Sequence, residues 1–253
     1  MGHDWVGIIV TIVQSAVLVF VIAKATRLMH VKTVLPFFFV LAMACYLLSD
    51  LYWLAYDLLN PDTRMPIAAN EIAECAMILL LSASLKTALK DATLVPAEIA
   101  FAVLYTGVNI VLWIVWSGEW FQDIFFGIPY IYFLWILIRG IRSRGALRWQ
   151  ELAFVAGAAL FVTAMLVLLQ FVEGEVHAVA KALNYAVSYV LMSYLAFKSI
   201  RGRDFFVAST FFLWTVLCMF SSAGIYYHIA NIVNTLALPV MLISIREAAD
   251  GVR

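Results

Sequence analysis

The stretch Val34 to Asp57, VLPFFFVLAMACYLLSDLYWLAYD, decides what kind of molecule this is. An α-helix needs about 20 predominantly apolar residues to cross the roughly 30 Å hydrocarbon core of a bilayer. This segment is long enough, and its only charged residues are Asp50 and Asp57. Either it is a membrane span whose carboxylates, set among Tyr46, Tyr52, Trp53 and Tyr56, form a working site, or the span ends early.

Composition fixes the class of the chain around it. Of 253 residues, 65% are hydrophobic and 13% charged, far from the usage of a soluble globular domain. The reading is an all-α, polytopic integral membrane protein, multi-pass in the cytoplasmic membrane. Formal net charge is zero, which gives no argument for nucleic acid or for an acidic partner. Cys45, Cys75 and Cys218 fall in apolar segments without metal-ligand spacing, and read as small buried hydrophobes. The N-terminal run through Arg27 lacks the basic region and cleavage site of a signal peptide, so a retained first helix is expected.

Nine segments qualify as spans: 5–25, 34–57, 66–86, 95–117, 120–139, 149–172, 177–198, 204–222 and 225–246. The links WSGEW and SSAGIYY are the least certain boundaries, each a tight turn or a kink in a longer helix. Basic residues concentrate in cytoplasmic loops. With the N-terminus outside, 14 of the 16 Lys and Arg fall on the inner side, leaving only Arg64 and Lys181 outside. A missed or invented span would invert every later loop, so nine spans with the C-terminus inside is the expected topology. Ten of the 16 acids lie in the outer half, a field that attracts cations.

Residues 68–86 (AANEIAECAMILLLSASLK) resemble residues 179–198 (VAKALNYAVSYVLMSYLAFK). The likeness suggests a single transmembrane domain built as a leading helix and loop, 1–32, followed by two four-helix units, 33–148 and 149–253. Even span numbers would make them a parallel repeat. Alternatively, two hairpins rich in Leu, Val and Ala simply look alike. Inner loops are short, and no kinase, cyclase, nucleotide-binding or DNA-binding module is expected.

Ionisable groups inside a span are costly and are kept mainly where they pair or line a wet cavity. Asp50 lies about two turns, roughly 10 Å, below Asp57. It is a site candidate with Trp53, on a stripe that also holds Tyr46 and Asp57; the alternative is an acid that snorkels or sits neutral. Pro66 opens the third span, and Glu71 and Glu74 share a face one turn apart. Glu71 also suits a helix start, where an acid complements the dipole, whereas Glu74 is deeper. Carboxylates this close suit a proton- or cation-responsive site. In the seventh span His177, Lys181, Asn184 and Ser188 share a face. Lys181 either pairs with Glu74 or Asp50 or extends its stem to the interface. The ninth span offers His228, Asn231 and Asn234, as ligand contacts or as hydrogen bonds between helices. Trp116, Trp120 and Phe121 either belong to an interfacial belt or wall a cation site.

Other chemistries lack their residues. No Lys sits mid-bilayer in the last spans for a retinal Schiff base, and the four His are scattered, with a zinc site at His177 and His228 a minor alternative. No phosphate loop or nucleophile elbow appears. No cofactor is expected.

Residues 35–85, LPFFFVLAMACYLLSDLYWLAYDLLNPDTRMPIAANEIAECAMILLLSASL, carry a run in which Asp50, Trp53, Leu58 and Leu59 are followed by Pro66 and Glu71. This pattern resembles the multi-span N-terminal sensory modules of bacterial histidine kinases and diguanylate cyclases. The resemblance implies a membrane-embedded sensing region. Lacking an output domain, such a chain would signal through a cytoplasmic or membrane partner. The expected function is a sensory or ligand-binding module with an outward-facing acidic and aromatic cavity for a small cationic or amphipathic ligand. The alternatives are a small-solute or cation- or proton-coupled transporter and an intramembrane enzyme acting on a lipid or quinone. The expected ligand-binding set is Asp50, Trp53, Glu71, Glu74, Lys181, Asn184, His228 and Asn231.

Overall fold

The computed structural model describes residues 4–29, 34–59, 69–89 and 93–251. Among the described residues there are nine α-helices and no strand: α1 (Trp5–Leu28), α2 (Val34–Leu59), α3 (Ala69–Ala88), α4 (Pro96–Ser117), α5 (Trp120–Arg144), α6 (Trp149–Leu168), α7 (Gly174–Gly202), α8 (Phe205–Phe220) and α9 (Ile225–Gly251). Six of them, α1, α2, α4, α5, α6 and α9, are long and apolar enough to cross a membrane. Their outward faces carry the apolar side chains. On α1 Val6, Ile9, Ile12, Val13, Val19 and Phe20 are exposed, while the polar Gln14 and Ser15 are buried. Soluble monomers rarely expose apolar patches on this scale, and in lipid the arrangement is the stable one. The chain is a multi-pass helical membrane protein.

Local chemistry sets the helix ends. Asp4 caps α1 by accepting from the Gly7 N–H at 3.1 Å. Asp204 caps α8 through the amides of Phe206 and Val207, at 2.9 and 3.2 Å. Such caps satisfy amides that have no partner within the helix. The two doubtful links are turns. Gly118 ends α4 and Gly224 precedes α9, both at positive φ, 76° and 59°, which glycine adopts without a Cβ penalty. The sixth helix stops at Leu168 rather than residue 172. Gln170 and Phe171 donate instead to Val167 and Leu168, three residues back, which tightens the chain into a turn, and α7 then starts at Gly174, earlier than expected. Pro66 and Arg64 lie outside the described residues.

Contacts between neighbours run α1, α2, α3, α5, α4, α6, α7, α9 and back to α1, with α8 held inside against α5, α7 and α9. The interior position explains how α8 manages with 16 residues, about 24 Å of rise. Twelve of them are buried. Phe205 and Phe212 of α8 pack edge-on against Phe39 and Tyr46 of α2, with ring centroids 6.0 and 5.6 Å apart. On α5, Gly140 lies directly under the Phe206 ring, where a Cβ would overlap the aromatic carbons. Small residues at such crossings let helices approach closely.

Alternation of direction gathers the starts of α1, α3, α5, α7 and α9 at one end of the bundle, which is rich in acids. His228 of α9 lies 3.5 Å from Asp4 of α1 there. At the opposite, basic end four acids are paired: Arg142 with Glu98 at 2.8 Å, Arg144 with Asp204 at 3.2 Å, Lys198 with Glu151 at 2.8 Å and Arg203 with Glu247 at 3.0 Å.

Candidate functional site

The polar centre of the bundle begins at Gln14 of α1. Its amide Nε2 donates to the Tyr46 hydroxyl oxygen at 2.8 Å and to Asp50 Oδ1 at 3.2 Å. Tyr46 in turn donates to Asn234 Oδ1 at 2.7 Å, and Asn234 Nδ2 donates to Thr215 Oγ1 at 2.8 Å. The Thr235 hydroxyl, 3.0 Å from both Gln14 Oε1 and the Asn231 carbonyl, shares its proton between them. Four helices, α1, α2, α8 and α9, are thereby tied together in a low-dielectric interior, where such bonds are strong and a missing partner is costly. Two acceptors of this cluster have no donor, Asp50 Oδ2 and Asn231 Oδ1.

One residue before Asp50, Ser49 donates to Glu74 Oε1 of α3 at 3.1 Å. Glu74 lies close enough to Asp50 for the two charges to interact. Glu74 also faces the other way, into a cavity of about 360 Å³ between α2, α3, α4 and α5 at the acid-rich end. Among the described residues its lining holds three carboxylates, Glu71, Glu74 and Asp123, and no Lys or Arg. The amides of Asn70 and Gln122 join them, and the oxygens Asn70 Oδ1 and Gln122 Oε1 are buried without a donor. Ser117 donates to Asp123. Trp53, Trp113, Trp116, Phe126 and Tyr130 supply ring walls. The cavity is therefore an acceptor-rich, aromatic enclosure, suited to a group that brings N–H donors and positive charge.

The expected site residues divide into four places. Trp53, Glu71 and Glu74 line the acid cavity; Trp53 is 45% exposed, so it forms the rim. Asp50 and Asn231 belong to the buried cluster behind it. The expected stripe on α2 thus splits, with Tyr46 and Asp50 turned to α1 and α9 and Trp53 to the cavity. His228 pairs with Asp4 near the rim of the bundle. Lys181 and Asn184 line a separate cavity, with Trp116 and Phe220 lining both. The partners of Asp50 and Glu74 are Gln14 and Ser49, not Lys181. No three His, Cys, Asp or Glu side chains among the described residues converge as metal ligands.

Gln14, Thr215 and Thr235 were not legible as site residues. Gln14 had a signal: it is the only amide side chain in the apolar run of α1. The two threonines carried none, because Thr is common in membrane helices and usually bonds its own backbone.

The sequence matches no known family model, and no curated protein or solved structure shows significant similarity to it.

Proposed function

We propose that this chain is a membrane-embedded receptor module that binds a small organic ammonium ion in the cavity walled by Glu71, Glu74 and Asp123. One observation carries the reading: the cavity offers carboxylates, donor-less amide oxygens and aromatic faces together. A primary ammonium supplies three N–H donors and one positive charge, and ring faces attract such a cation by about 0.5–2 kcal/mol each. In this reading all nine helices cross the cytoplasmic membrane, with the N-terminus and the acid cavity outside and the basic end in the cytoplasm. The less apolar α3 and α7 cross beside partner helices, and α8 crosses inside the bundle. Occupancy would be passed to a cytoplasmic or membrane signalling partner, as the likeness to bacterial sensory modules suggests.

The test is titration of the purified protein in nanodiscs with 2-phenylethylammonium, followed by the fluorescence of the lining tryptophans. Saturable quenching is expected, and its absence up to tens of millimolar would remove the proposal. Orientation has its own check: cysteines placed at 71 and 122 should react with impermeant reagent added outside, and reaction only from the cytoplasmic side would reverse the topology.

A second reading, a transporter for the same cation, is favoured by the cluster behind the cavity. Asp50 holds a donor-less oxygen deep in the bundle, electrostatically joined to Glu74, and Pro129 and Pro239 lie inside α5 and α9, which run on through them. Polar sites near the bilayer midplane are a feature of transporters. Accumulation of labelled ligand in proteoliposomes under a proton gradient would select this reading, and binding without uptake would select the receptor.

A further inference from the structure

We propose a second binding site, for an apolar α-amino acid in its zwitterionic form, in the cavity between α4, α6 and α7. This space also measures about 360 Å³ and contains no carboxylate among its described lining residues. Its polar wall is the face of α7 that carries His177, Lys181 and Asn184 on successive turns. Lys181 has no acidic partner within ion-pair distance among the described residues, whereas Glu98, Glu151, Asp204 and Glu247 at the basic end each pair with a cation. Asn184 is 98% buried, being 2% exposed, and its Oδ1 has no donor. A buried amide oxygen left without a donor costs about 1–3 kcal/mol.

The two groups are complementary and adjacent. Lys181 is exposed and offers its ammonium to an anion, Asn184 is buried and lacks an N–H donor, and residues three apart on a helix have Cβ atoms about 5–6 Å apart. A carboxylate and an ammonium on one carbon fit that spacing, the first on Lys181 and the second on Asn184. A simple anion would leave the Asn184 oxygen unsatisfied, and a simple amine would meet Lys181 with like charge. Gln170, Ser221 and Ser222 add polar edges, and Trp116, Leu166, Leu169 and Phe220 form an apolar wall, which is the part suited to an apolar side chain. This site uses none of the carboxylates of the ammonium cavity, so the two proposals stand or fall separately.

Isothermal titration of the nanodisc-embedded protein, its acid cavity first saturated with 2-phenylethylammonium, tests it with L-leucine against 4-methylpentanoate, which lacks the amine, and 3-methylbutylammonium, which lacks the carboxylate. Saturable binding of leucine is expected, at least tenfold tighter than either truncated probe. Lys181→Met and Asn184→Leu should each weaken leucine at least tenfold, while Glu74→Gln leaves it unchanged. Lys181→Gln provides a second variant should Met impair folding, with the melting temperature of each variant confirming its fold. No heat with leucine, equal affinity for a truncated probe, or unchanged leucine affinity in folded Lys181 variants would overturn the proposal.

Discussion

Glu74 is the residue on which the two polar regions meet. One oxygen is held by Ser49, beside the buried Asp50, and the side chain also lines the ammonium cavity. Because the cavity lacks donors rather than charge alone, ligands should be ranked by their N–H groups. A primary ammonium is predicted to bind at least tenfold more tightly than its N-trimethyl analogue, which keeps the charge and loses every N–H. Equal affinities in competition titrations would mean that the carboxylates and rings act only as a diffuse field. Gln14 is the corresponding residue of the buried cluster. Gln14→Leu removes the donor to Asp50 Oδ1 and one of the two acceptors of Thr235 at once, and should destabilise the fold by about 1–3 kcal/mol. Reversible unfolding in mixed micelles measures this, and an unaltered transition would show that the cluster is dispensable for stability.

Among the elements, α8 is the one whose environment is least like that of an ordinary span. It is short, enclosed and pinned at its start by Asp204, which caps the helix and pairs with Arg144. Asp204→Ala is predicted to cost about 1 kcal/mol. Gly140→Leu on α5 should cost more than Gly157→Leu on α6, because the first would enter the Phe206 ring and the second meets open space. The two variants share the loss of a helical glycine, so their difference in melting temperature isolates the contact between α5 and α8. If both melt alike, α8 does not sit where Gly140 requires it.

For the whole molecule, what the sequence made legible follows from what is local. Apolar length and loop charge locate helix boundaries, which is why α4 was expected at 95–117 and found at Pro96–Ser117. The pairing of helices is not local. Tyr46 finds Asn234 across 188 positions, and nothing in either segment names the other. Lys181 and Glu74 lie in the same outer half on sequence grounds, but the ring order of helices puts α5, α4 and α6 between α3 and α7, so each lines its own cavity. Acids at the basic end looked like candidates for nothing and proved to be structural, since Glu98 is buried against Arg142. The charge asymmetry between the two ends is a property of the entire chain, and it concentrates cations at the mouth of the acid cavity. Ligand association should therefore slow as ionic strength rises, whereas an uncharged analogue such as phenylethanol should show no such dependence in stopped-flow fluorescence.

The claim that Glu74 and its aromatic enclosure form an ammonium site is tested most directly by one comparison, equilibrium binding of 2-phenylethylammonium to the wild-type protein and to Glu74→Gln. Gln keeps the size and the Ser49 contact while removing the charge. The expected result is saturable binding to the wild type that weakens at least tenfold in a variant of unchanged fold. Equal affinity in the two proteins would contradict it.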